Sequence, residues 1–237
     1  WETPEMIDQY CCKILESPDF DLSAGTVEIA FPNANMDWEG DGISQLLCMV
    51  MGGQVDIDRI LRCRALSIEI NSYIKSTYFK KPTYGLSGIR ELTGSYNKPL
   101  FGGIIKPKTG ITPDQLLDMT KQLVDGGVNF IKEDEIMSNP AICPLHKRVE
   151  LISKFINTTN VVYCFCINSD ITQLTNRARF VANNGGRGVH VNVWSGLGAY
   201  KAIRNLNLPL YIHYQKSGDK AFTHKDNPYS ISWQLCC

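Results

Sequence analysis

The run Phe130-Ile131-Lys132-Glu133-Asp134-Glu135 sets a lysine and two carboxylates where an apolar stretch gives way to charge. Strand alternation puts Lys132 and Asp134 on one face, and Glu135 lies just past the strand end, free to turn inward. Asp134 and Glu135 offer the hard oxygens that Mg²⁺ prefers. Lys132 could add another only as a carbamate, the product of its neutral amine with CO₂. Composition alone is also met by a solvated charged loop at a strand end. A second constellation, Lys106-Pro107-Lys108, ends the preceding apolar run. A neutral Lys106 could act as a general base, and Lys108 could fix a phosphate or an enolate oxygen. Two surface lysines around a strand-ending proline satisfy the same residues. Adjacent strands of one barrel would bring both groups to one mouth.

Asn168, Asn192 and His213 close the next three apolar runs and are candidates for substrate contact, with a plain structural role as the alternative for each. Gly185-Gly186 and Ser195-Gly196-Leu197-Gly198 read as turns, and His146, His190 and His224 show no metal-ligand spacing.

These candidates need strands to carry them. From residue 99, five apolar runs alternate with helical patterns: strands 100–105, 128–131, 161–167, 188–193 and 209–213, and helices from Thr112, 146–157, 171–183 and 196–205. Thr112 is placed as N-cap, Pro113 in the first turn and Gln115 for a capping box, and Gly126-Gly127 stops that helix. Continuous apolar strands separated by single helices imply a parallel sheet, either doubly wound or a (β/α)₈ barrel. Both place ligands at the C-terminal strand ends. No GxGxxG follows the first strand, which speaks against a dinucleotide fold. Residues 1–98 read as an α+β domain, with a helix over 4–16, a strand over 26–31, a buried helix over 42–51 closed by Gly52-Gly53, a strand over 66–70, and a loop leading to a short helix through Glu91.

The 237 residues carry 24 acidic and 24 basic side chains and are 43% apolar. That gives ample core for one large or two modest domains. It leaves no basic stripe for nucleic acid, and no apolar run long enough for a bilayer. Nine cysteines include the neighbours Cys11-Cys12 and Cys236-Cys237 and the pair Cys164/Cys166, without CxxC spacing. Reduced bystander thiols and a cytoplasmic location follow.

The run from Gly103 through Lys106-Pro107-Lys108 to Gly110, followed by Gly126 to Glu135, resembles the RuBisCO large-subunit superfamily in motif and spacing. Ala30-Phe31-Pro32, the Gly52-Gly53 helix end, Tyr84 to Arg90, and Ala221-Phe222-Thr223 extend the resemblance over nearly the whole chain. It implies a ferredoxin-like α+β domain (1–98) followed by the first five βα units of a TIM barrel (99–237), a fragment of a homodimeric enzyme. It implies Lys132 as a carbamylated Mg²⁺ ligand with Asp134 and Glu135, Lys106 as the proton-abstracting lysine, Lys108 beside substrate, and His213 in contact with it. Departures fall at Gly53, Tyr214 and Ser217, where true carboxylases of the family carry an asparagine, an arginine and a histidine. They point to a RuBisCO-like enolase, isomerase or decarboxylase acting on a phosphorylated keto-sugar or sugar acid. A genuine ribulose-bisphosphate carboxylase is one alternative, and an inactive truncated chain another.

Overall fold

In the computed structural model, residues 2–15, 25–53, 56–58, 60–232 and 235 are described. Cys236-Cys237 and the end of the helix expected over 4–16 lie outside them. The chain divides into two compact units, Trp1–Ala65 and Leu66–Cys237.

The first unit mixes helix and strand. Helix α1 (Pro4–Tyr10) opens on Thr3, whose side chain accepts from the Met6 N–H. It ends where Cys11 turns extended, earlier than expected. Lys13–Leu15 (β1) then pairs antiparallel with Glu28–Ala30 (β2), so the tail of the expected helix is a strand. Apolar residues at Tyr10, Ile14 and Leu15 fit a helical face. Ile14 also fits a strand, and tertiary pairing decides between the two. Helix α2 (Gly42–Met51) has the expected bounds and ends on Gly52, but only Gly42 in it is buried, so it is a half-exposed helix and not a core one. The strand expected at 66–70 falls instead at Cys63–Ala65 (β3).

The second unit begins with helices α3 (Ser72–Tyr78) and α4 (Gly85–Thr93). Then follow β4 (Gly102–Ile104), α5 (Pro113–Asp125), β5 (Phe130–Lys132), α6 (Leu145–Ile156), β6 (Val162–Cys166), α7 (Ile171–Asn183), β7 (Gly188–Asn192), α8 (Gly198–Asn205) and β8 (Tyr211–Gln215). A short helix, α9 (Lys220–Thr223), and a strand, β9 (Tyr229–Ile231), come last. The capping box of α5 forms as read: Thr112 Oγ1 accepts from the Gln115 N–H, and Gln115 Oε1 accepts from the Thr112 N–H at 2.9 Å.

Strands β4 to β8 form one parallel sheet in unbroken sequence order. A doubly wound sheet reverses its order at a switch point. An unbroken order with one helix per crossover is that of a barrel wall, so the sheet is a half-barrel. Its outer face packs on the helices through a fully buried set that includes Leu116, Val149, Ile152, Phe165, Leu174 and Val181. All five residues of β6 and all five of β7 are buried, as continuous apolar runs require of a parallel sheet covered on both faces.

Candidate active site

The C-terminal ends of β4 and β5 lie side by side, because Ile104 pairs with Lys132. Two residues beyond each register position the chain brings Lys106 to Asp134, and the ammonium donates to Oδ2. Asp134 is almost fully buried and Lys106 half exposed. Lys132 Nζ lies 3.6 Å from Glu135 Oε2. Glu135 is also held from across the sheet: Gln215 Nε2 donates to Oε2 at 3.0 Å, and Gln215 Oε1 in turn accepts from the Ser217 N–H at 3.3 Å. Burial acts to raise its pKa, but hydrogen bonds from backbone, Ser217 and Gln215, with the Lys132 charge, outweigh burial and bring it to about 2. The carboxylate is ionised across the whole working range.

On the inner face, two residues beyond the row of Lys132 and Cys164, the register sets Cys166, His190 and His213 side by side. The two imidazoles stack, 5.3 Å between centroids and 15° between planes. Burial, with His213 and Lys132 nearby, lowers the His190 pKa to about 3. Burial first, then Lys132, also lowers that of His213. Both rings are neutral at pH 7. Burial, followed by the charge of Glu133, pushes the Cys164 and Cys166 thiols up to about 12, which removes them as thiolate ligands or nucleophiles.

The expected residues divide into two groups. Lys106, Lys132, Asp134 and Glu135 are brought together. Lys108 is exposed, beyond the end of β4. His213 does not end its strand. β8 runs on to Gln215, which is the inward side chain at the mouth, and His213 lies one layer below it. Tyr214 turns to the opposite face and packs its ring on Tyr200 of α8, 5.4 Å between centroids. Asn168 and Asn192 spend their amides on backbone. Asn168 Nδ2 donates to Glu135 O at 2.8 Å, and its Oδ1 accepts from the Asn192 N–H at 2.7 Å. Asn192 Nδ2 donates to Ser217 O at 3.1 Å, and its Oδ1 accepts from the Trp194 N–H.

His190 and Gln215 were not among the candidates. Alternation puts His190 on the same face as Asn192, and that signal was readable. Its pairing with His213 needs the strand register, which no local pattern supplies.

The donor set suits a hard divalent cation only in part. Asp134 and Glu135 supply oxygens, yet among the described residues no group of three or more His, Cys, Asp or Glu is arranged to hold a metal.

Residues 85–235 match the family model of the ribulose bisphosphate carboxylase large chain, catalytic domain. The chain belongs to that family. It is 32% identical over 183 residues to an uncharacterised ribulose bisphosphate carboxylase-like protein of Bordetella bronchiseptica, covering 73% of this chain and 43% of the relative. It is 30% identical over 210 residues to a 3-oxo-isoapionate-4-phosphate decarboxylase of Rhizobium etli, covering 85% of this chain and 49% of that protein. Among solved structures, the octameric ribulose-1,5-bisphosphate carboxylase/oxygenase of Pyrococcus horikoshii superposes with a TM-score of 0.85 at 25% identity, over 98% of this chain and 57% of that one. The chain thus spans about half the length of the curated relatives it matches. No helix among the described residues is long and apolar enough to cross a membrane.

Proposed function

We propose that this chain carries the N-terminal part and half of the catalytic barrel of a Mg²⁺-dependent RuBisCO-like enzyme that forms an enolate from a phosphorylated keto-sugar or sugar acid. The complete enzyme would add the rest of a ferredoxin-like domain and of the eight-stranded barrel, and act as a cytoplasmic homodimer. One observation carries the reading: Lys106, Lys132, Asp134 and Glu135 converge at the mouth of β4 and β5.

Carbamylated Lys132, Asp134 and Glu135 would hold the Mg²⁺, which when bound supplies Lewis acidity toward the substrate's carbonyl and hydroxyl oxygens. Asp134 cannot serve a cation and the Lys106 ammonium in full at once. Lys106, at the same mouth, would move a proton at the substrate carbon as its neutral amine. Removing an α-proton and losing CO₂ from a β-keto acid leave the same electron pair on carbon. One site therefore serves an enolase, an isomerase or a decarboxylase. Similarity to the Rhizobium etli enzyme favours decarboxylation among these. Lys108, exposed at the rim, would meet a phosphate, and His213, stacked on His190, would form the floor beneath the substrate. Asn168 and Asn192 hold the loops that frame it.

The test uses the full-length protein with ¹³C-bicarbonate and Mg²⁺. A carbamate resonance is expected and should vanish in Lys132→Ala, together with deuterium exchange into, or CO₂ release from, a panel of phosphorylated keto-sugars and sugar acids. Turnover that survives Lys132→Ala would remove the carbamate assignment.

A further inference from the structure

Glu133 lies between two residues of the proposed site and faces away from it. Alternation makes this unavoidable: with Lys132 and Asp134 turned inward, the side chain between them points to the helices. There the Glu133 carboxylate is fully buried and saturated. It accepts from Arg148 Nε at 2.9 Å and Nη2 at 3.1 Å, from the Tyr163 hydroxyl at 3.1 Å, and from the Cys166 N–H at 2.7 Å. Arg148 of α6 is equally buried. Its remaining donations go to the carbonyls of Cys143, Ser138 at 3.0 Å and Cys166 at 3.5 Å.

Those carbonyls belong to the loop that follows the acidic run and to the end of β6. From Ser138 the ties continue inward: its hydroxyl donates to Asn168 O, Arg177 of α7 donates to the same carbonyl at 2.6 Å, and Asn168 holds Glu135 O. One ion pair thus fixes the backbone on both sides of Asp134 and Glu135. An apolar pair of like volume often folds as well or better than a buried ion pair. Here the pair also satisfies the Tyr163 hydroxyl, the Cys166 N–H and three carbonyls, and what the two charges add beyond an apolar pair is a fixed backbone geometry.

We infer that Arg148 and Glu133 are positioning residues for the cation site: they touch neither substrate nor metal, and they set the backbone so that Lys132, Asp134 and Glu135 converge. The inference rests on the Mg²⁺ reading above. Partners of ligands in this position typically change metal affinity by about 10- to 100-fold when removed.

The test measures Mn²⁺ binding by electron paramagnetic resonance, with bicarbonate present, and urea unfolding of the same full-length samples. The double variant Glu133→Leu/Arg148→Met, which leaves the buried hydroxyl, N–H and carbonyls unpaired, is expected to lower the urea midpoint and, in the protein that remains folded, to bind Mn²⁺ at least about tenfold more weakly. Arg148→Lys, which keeps the charge and loses the fork, should fall between it and the unsubstituted protein. Parent-like Mn²⁺ affinity in a folded double variant would overturn the inference and leave the Mg²⁺ reading intact. Should the double variant not fold, Glu133→Gln and Arg148→Lys decide: unchanged affinity in both, measured on folded protein, also overturns it. An unsubstituted protein that binds no Mn²⁺ would overturn the Mg²⁺ reading and this inference with it.

Discussion

Asp134 is claimed from two sides, by the Lys106 ammonium and by any cation held at the mouth. In the complete enzyme, Lys106→Met should therefore abolish proton exchange while Mn²⁺ binds as tightly as before or more so, since a competing positive charge is gone. If exchange and affinity fell together, the separation of base from ligand would be wrong. His190 supports a prediction about stability. Its pKa in the folded chain is about 3, held down first by burial, against about 6.5 in an unfolded chain. The unfolded state takes the proton first, so His190 contributes in full above pH 6.5, and its contribution is lost as pH falls toward 3. Urea unfolding between pH 4.5 and 7 should show stability falling with acid, by up to ~1.4 kcal/mol per pH unit from this one group. His190→Gln should flatten the slope, and an unchanged slope would assign the acid sensitivity elsewhere. The carboxylates and Lys106 were legible from type and spacing alone. Glu133 and His190 were not, because the sequence shows their alternation but not what packs on each face.

At the scale of elements, legibility follows how local the determinants are. Helix α5 is written in its own residues: the Thr112 cap, Pro113 in the first turn, Gln115 reaching back and Gly126-Gly127 beyond the end. Thr112→Ala should lower stability by about 1 kcal/mol in chemical denaturation. A loss below about 0.3 kcal/mol would mean the capping box is ornamental. The buried strands β6 and β7 were also readable within a residue or two of each end, because an uninterrupted apolar run has few other uses. Strand β1 was not readable, since Cys11 to Leu15 continues the helical spacing of α1 and only pairing with β2 overrides it. The end of β8 was misplaced for a related reason. Tyr214-Gln215 looks like loop in isolation and is strand because β7 extends far enough to pair with it, Asn192 with Gln215.

For the molecule as a whole, the order of the strands mattered more than their number. Composition and periodicity left two parallel architectures open, and the unbroken succession from β4 to β8 is the barrel's. That succession also explains how residues from 106 to 217 meet: each crossover returns the chain to the same rim, where ligands gather in such barrels.

At that rim the hydrogen bonds close a circuit. Asn168 reaches Glu135 O and the Asn192 N–H, Asn192 reaches Ser217 O, and the Ser217 N–H reaches Gln215 Oε1, whose amide returns to the Glu135 carboxylate. Four loops linked in this way cannot fray one at a time, because opening any of them breaks the bonds of its neighbours. In amide hydrogen exchange, residues 135–138, 168–170, 192–196 and 215–218 should share a single opening free energy and lose protection together on Asn168→Ala. Four separate exchange rates, with only the nearest loop responding, would mean that each loop keeps its own clock.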